Sequence, residues 1–253
     1  MLLRLALIAA LFVSPAEAAT ATYIVNLGGA NIANLTVALE ETGSAYTLDL
    51  EATIIGLGQL VSNGTATIKS AGRVGSRGYE GEKFSLLTRA RGEDFTTEVG
   101  FAAGNVDRFI VDPPLINNID RVAIERKHLR GVNDMLAAFI LRGGALDASL
   151  CSRTMKIFTG LERFDLSLKF IQDDVATSKR TGYNGPVVLC GIRYTPVSGH
   201  FTTSEMTQYL EKSDRIHIWY MPLADKSRTF IPYRVLIGTA YGDLSMVLTK
   251  LEP

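Results

Sequence analysis

The chain has 253 residues, with 26 Lys or Arg balanced by 26 Asp or Glu, so its formal charge is zero. That balance argues against a nucleic-acid partner held by counterion release, which needs an excess of basic residues. A hydrophobic share of 47% supplies a real core and excludes disorder, and the length suits one large β domain or two small ones.

Residues 1–18 read as a secretory leader. Arg4 charges a short first region, residues 5–13 form an unbroken apolar run, and Ser14 and Pro15 break it. Ala16-Glu17-Ala18 then gives the small-x-small pattern that a signal peptidase reads, with the cut between Ala18 and Ala19. The apolar run is far short of the roughly 20 residues a spanning helix needs. No cysteine lies near the cut to carry a lipid. No later stretch is apolar and long enough to span a bilayer, so the expectation is a mature protein that does not span the membrane. It is expected to fold as a single β domain over residues 19–253 and to work in the periplasm.

Alternation of apolar and polar residues dominates the chain beyond the leader. Tyr23, Val25 and Leu27 share one face of a strand, as do Tyr46, Leu48 and Leu50. Residues 164–170 swap at every step, and Val188, Cys190, Ile192 and Tyr194 continue the pattern. Ile216, Ile218 and Tyr220 repeat it, as do Leu244, Met246 and Leu248. A period of two, punctuated by turns such as Gly28-Gly29 and Gly104-Asn105, predicts an antiparallel meander. The fold class is mainly β: a curved sheet that forms a barrel or half-barrel.

Two segments depart from this period. Over residues 131–144, Val132, Met135, Leu136, Phe139 and Ile140 fall at helical spacing, ahead of a Gly143-Gly144 stop. This predicts a helix that plugs the open side of the sheet. A second short helix is expected at about 203–212, where Thr202-x-x-Glu205 reads as a capping box.

The chain has two cysteines, Cys151 and Cys190, and an isolated pair in an oxidising compartment bonds. A C-x-x-C redox arrangement is absent, and His128, His200 and His217 are scattered, so no metal site and no cofactor is expected. Neither G-x-S-x-G nor H-E-x-x-H occurs, which leaves catalytic residues unassigned. Asp165, His200 and Arg234 are the one set worth testing for an enzyme acting on cell-wall material. The cluster of Arg121, Arg126 and Lys127 reads as solvated, with contact to phosphate groups as its alternative.

Ordered landmarks run through the second half of the chain. Gly131-Val132-Asn133-Asp134 is followed by Ala138. Cys151-x-Arg153 leads to Ile157-Phe158-x-Gly160 and Arg163-Phe164-Asp165-Leu166. Gly182-Tyr183-x-Gly185-Pro186 precedes Cys190 and Tyr194-x-Pro196-Val197-Ser198-Gly199-His200. Trp219-x-x-Pro222 and Pro232-Tyr233-Arg234 complete the order. In this set the chain resembles a bacterial envelope family, domain of unknown function 3108, in its alphaproteobacterial form. Met135 stands where that pattern has proline. The resemblance implies an exported, β-barrel-like protein with paired cysteines. The implied fold is similar to periplasmic lipoprotein carriers and to β-barrels that support envelope integrity. It assigns no activity.

The functional expectation is a non-enzymatic periplasmic protein that binds a hydrophobic ligand: a lipid, a lipoprotein anchor or an apolar peptide. Its candidate cavity is lined by Tyr23, Val25, Leu27, Tyr46, Leu48 and Leu50, with Phe139 on the plug. The same residues suit a solidly packed interior equally well. The alternative is a structural protein that supports the envelope through protein partners.

Overall fold

The computed structural model describes residues 17–60, 63–115, 119–178, 180–224 and 227–252. The expected leader falls almost wholly outside them. Ala18 and Ala19 lie within the first strand, opposite Glu40 and Leu39.

Alternation becomes sheet wherever one face is covered. Seven strands follow one another as a meander: β1 (Glu17–Leu27), β2 (Ala30–Thr42), β3 (Ala45–Ile54), β4 (Thr65–Val74), β5 (Tyr79–Ala90), β6 (Glu93–Ala102) and β7 (Asn105–Asp112). After a long irregular stretch holding the two-residue β8 (Leu141–Arg142), a second meander begins. It comprises β9 (Thr154–Phe158), β10 (Arg163–Ala176), β11 (Gly185–Ser198), β12 (Ile216–Pro222), β13 (Thr229–Thr239) and β14 (Gly242–Glu252). In β3, Tyr46 and Leu48 are buried while Thr47 between them is exposed. The hairpin turns Arg91-Gly92 and Ala103-Gly104 put both residues at positive φ, the turn geometry whose twist matches paired strands.

β1 pairs with β14 as well as with β2, so the two meanders join into one antiparallel sheet of fourteen strands. Read around the sheet, the order is that of the sequence wrapped into a ring, broken between β7 and β9. The sheet curves far enough to bring these two edges together. The Phe109 ring on β7 meets the Phe158 ring on β9, with centroids 5.2 Å apart. Thr97 on β6 donates its hydroxyl to Thr159 O, and the Gly160 turn lies so close to Thr97 and Val99 that a Cβ there would collide with them.

The edges do not pair, and the sheet is not closed into a barrel. Of the two expectations, the half-barrel is the one realised. Pro113 and Pro114 come directly after β7, and prolines carry no N–H with which to extend a ladder. Residues 130–134 fill the break instead. Arg130 bridges Asn105 and Asn133 bridges Ile157.

Residues 131–144 are therefore not the α-helix that their spacing predicts. Gly131 turns the chain at φ +61°, Asn133 makes its single bridge, and Met135-Leu136 turn again. A single 3-10 turn, Ala137–Phe139, precedes β8, which pairs with β13. The apolar residues that mimic one helical stripe face two ways. Val132, Leu136 and Ile140 join a core cluster that draws residues from strands right around the ring, Tyr23, Leu48, Phe84 and Leu248 among them. Phe139 packs on a second cluster, on the opposite face of β9–β13, which Ala138 and Leu141 join with Ile157, Cys190, Ile218 and Phe230, and Met135 packs on both. β13 is buried at every position from Thr229 to Tyr233 because it is covered on both faces.

The short helix α1 (Glu205–Lys212) is present, but Thr202 does not cap it. Ser204 accepts the Thr207 N–H at 3.2 Å, and the Thr202 hydroxyl turns to Asp120 O.

Cys151 and Cys190 form a disulfide, with Cα atoms 5.5 Å apart and both residues buried. It fastens the segment over the second cluster to β11. Replacing either cysteine by serine should lower stability by about 2–4 kcal/mol. Urea denaturation with and without reductant checks this: reductant should shift the wild-type midpoint and leave the variant unmoved.

Candidate functional site

The break in the ring is where polar groups and open space gather. Asn133 occupies it with both its main chain and its side chain. Its N–H donates to Lys156 O at 2.8 Å and its carbonyl accepts the Phe158 N–H at 2.9 Å, which attaches it to β9. Its side-chain amide donates to Tyr79 O at 2.6 Å and accepts the Gly81 N–H at 2.9 Å, which attaches it to β5. The amide thus stands in for a peptide unit of a missing strand. Removing it leaves a backbone donor and acceptor unmatched, so Asn133→Ala should cost roughly 1–3 kcal/mol of unfolding free energy in urea titration.

Asp134 points into the interior and is 0% exposed. One carboxylate oxygen accepts the N–H groups of Leu136 and Ala137, both at 2.8 Å. These bonds fix the chain in a tight turn, the local competition with helix that Asp and Asn side chains offer. The other oxygen accepts the Ser70 hydroxyl at 2.8 Å, and the Tyr46 hydroxyl reaches Ser70 at 2.9 Å. A Cβ on Gly81 would collide with that oxygen, so only glycine fits there. Burial pushes the Asp134 carboxyl up to about 6, although its hydrogen bonds with Ala137, Ser70 and Leu136 pull it down. Burial, and then the Asp134 charge, also push the Tyr46 hydroxyl up.

The sign of the resulting pH dependence is definite. The carboxyl is raised in the fold, so its contribution to stability is fully present below its unfolded value of 3.8. That contribution is lost as the pH rises through about 6. Asp134→Asn keeps an acceptor for the turn and a donor for Ser70 without the charge. From about pH 4 to about pH 7, the wild type should lose on the order of 3 kcal/mol relative to that variant. Parallel unfolding curves at both ends of that range would disprove the assignment.

Beside these residues lies a cavity of about 690 Å³. Val132, Ala138, Ile140 and Met155 give it an apolar wall, and Arg77, Glu80 and Lys156 lie around it. Arg153 also lines it, but its guanidinium is engaged by Leu150 O, Arg77 O and Arg142 O. Glu41 anchors the other flank, where it accepts the Tyr79 hydroxyl and faces Arg142 on β8 at 3.8 Å.

None of the residues expected to line a ligand cavity lines this one, and Leu48 lines a separate pocket of about 450 Å³ along β3–β7. Tyr23, Tyr46 and Leu48 are buried in the first cluster, and Leu50 packs partly buried against it. Their polar atoms are met internally, as where Tyr23 donates to Pro232 O at 2.9 Å. Val25 and Leu27 are half-buried on β1, and Phe139 packs on the second cluster.

Asp165, His200 and Arg234 do not converge. Asp165 faces Arg163 at 2.5 Å and pairs with Thr195 on β11, while Arg234 stacks over Trp219 in the row of Leu189. The stretch of β11 from Leu189 to Thr195, roughly 20 Å, separates them. Among the described residues no group of three or more His, Cys, Asp or Glu is placed to hold a metal ion. Asn133 and Asp134 carry the site without having been singled out as chemistry. Their signal was an Asn-Asp pair after Gly131, the composition of a side-chain-capped turn.

Fold and site together define a class: a curved antiparallel β-sheet protein, ring-ordered but open along one seam, with one disulfide across its outer cover. The chain belongs to the family described as "Protein of unknown function (DUF3108)", whose profile matches residues 22–249. No curated protein and no solved structure matches it.

Proposed function

We propose that this is an exported, non-enzymatic periplasmic protein that binds a hydrophobic ligand in cell-envelope maintenance, and that the seam cavity holds it. The ligand is a lipid, a lipoprotein anchor or an apolar peptide. The observation that carries this reading is the cavity itself, which falls within the usual size of ligand sites, about 300–1,000 Å³, and sets an apolar wall against a polar rim. Two of the polar residues that line it, Asn133 and Arg153, are engaged in holding the fold. The leader motif and the bonded cysteine pair support the compartment, since disulfides persist where the surroundings oxidise. The alphaproteobacterial type, and the likeness to lipoprotein carriers and envelope-integrity barrels, belong to the same proposal.

A second reading has its own observation. Beyond Ser167, β10 has no strand on its outer side among the described residues, and Ile171 and Val175 are exposed there. An open edge with apolar residues suits a protein partner in the envelope. Crosslinking through this edge that returned no envelope protein would count against it.

Native mass spectrometry of gently purified protein should find an apolar ligand bound, which an apolar fluorescent probe displaces. Thr154→Trp, at an exposed position on the cavity wall, should block the probe without lowering the melting midpoint. No bound ligand, with equal probe binding by the variant, would sink the proposal.

A further inference from the structure

A smaller groove of about 330 Å³ lies away from the seam cavity and shares none of its lining residues. It runs between the far end of β7 and the turn at Gly160. Phe109, Val111, Val122, Ile124 and Leu161 make it apolar, and Arg121 is the one charged residue that lines it.

Arg121 is a held but unspent cation. One of its terminal N–H groups donates to Gly199 O at 2.5 Å, and its guanidinium lies over the Phe201 ring, 4.1 Å from the centroid. These contacts fix the plane of the group, as a stacked arginine is fixed on an aromatic face. Its Nε is buried without an acceptor, and among the described residues no carboxylate pairs with it. A guanidinium that lines a groove with no carboxylate beside it is matched best by a planar two-oxygen anion.

We propose that this groove binds a single-chain anionic amphiphile, with its carboxylate on Arg121 and its acyl chain along Phe109, Val111 and Leu161. The volume is at the low end of ligand sites, which suits one short chain and not a two-chain lipid. The charge complement selects the head group, and the apolar walls select the tail. This site does not depend on the seam cavity being a ligand site.

Calorimetric titration with decanoate, decanol and decylammonium, each kept below micelle formation, tests this. Decanoate should bind most tightly and decylammonium most weakly. Arg121→Gln should weaken decanoate at least tenfold and leave decanol unchanged, while Arg121→Lys should recover most of the loss. Val111→Trp, which fills the groove from a strand position, should abolish binding of all three, and Thr154→Trp in the seam cavity should not. If Val111→Trp does not fold, Ala123→Trp, at an exposed lining position, takes its place. Equal affinities for decanoate and decanol, an unaffected Arg121→Gln variant, or loss of binding in Thr154→Trp alone would each overturn the proposal.

Discussion

Asn133 is the residue on which the shape of this molecule turns. The sheet is wound almost into a ring, and its two edges come close without pairing. One asparagine gives its main chain to β9 and its side chain to β5, so each half of the sheet finds a hydrogen-bonding surface in the same residue. Few side chains can do this. An amide offers a donor and an acceptor in the geometry of a peptide, so it can complete a strand edge that no strand reaches.

The neighbouring groups depend on that placement. Asn133 is drawn against β5, which delivers Asp134 to the interior beside Ser70 and Tyr46. A charge so deeply placed survives because its own turn supplies two N–H groups and Ser70 a third donor. The chain then leaves the interior through one 3-10 turn, adds β8 to β13, and covers the outer face of the second meander. The disulfide holds the end of that cover against β11. Interior, seam and outer cover are thus threaded by one segment, and a single substitution in it touches two cores.

The strands were legible in the sequence because each has one covered face, and covered faces alternate. Tyr46 and Leu48 on β3, and Ile216, Ile218 and Tyr220 on β12, sit as their period of two requires. The cysteine pair was legible because the sequence holds only two. The segment after Gly131 was not. Its apolar residues recur at helical spacing, but Val132, Leu136 and Ile140 serve one cluster, Phe139 the other and Met135 both, so the spacing records two partners and no stripe. The side chain of Asp134 decides the conformation there, and a periodicity of apolar residues does not register it. Periodicity is equally silent about the cavity. A row of apolar strand residues such as Tyr23, Tyr46 and Leu48 reads alike whether it lines a hollow or fills one, and the seam cavity is set by strand order, which no row records. Met135 shows how a family pattern carries information that composition lacks. Its N–H meets no acceptor among the described residues, so a proline in that place would give up nothing.

The seam also has a mechanical meaning. Everywhere else around the ring, neighbouring strands are joined by a ladder. β10 and β11 alone are paired from Arg163↔Ser198 to Ala176↔Gly185. At the seam the main chain makes isolated bridges, helped by one amide. The joint between β1 and β14 is a ladder of paired residues from Thr20↔Glu252 to Leu27↔Leu244, whereas the seam is held by separate bonds. Amide hydrogens in residues 130–134 should therefore exchange before those of the joint between β1 and β14. The seam is thus a joint of point contacts, two of them made by the amide of one side chain.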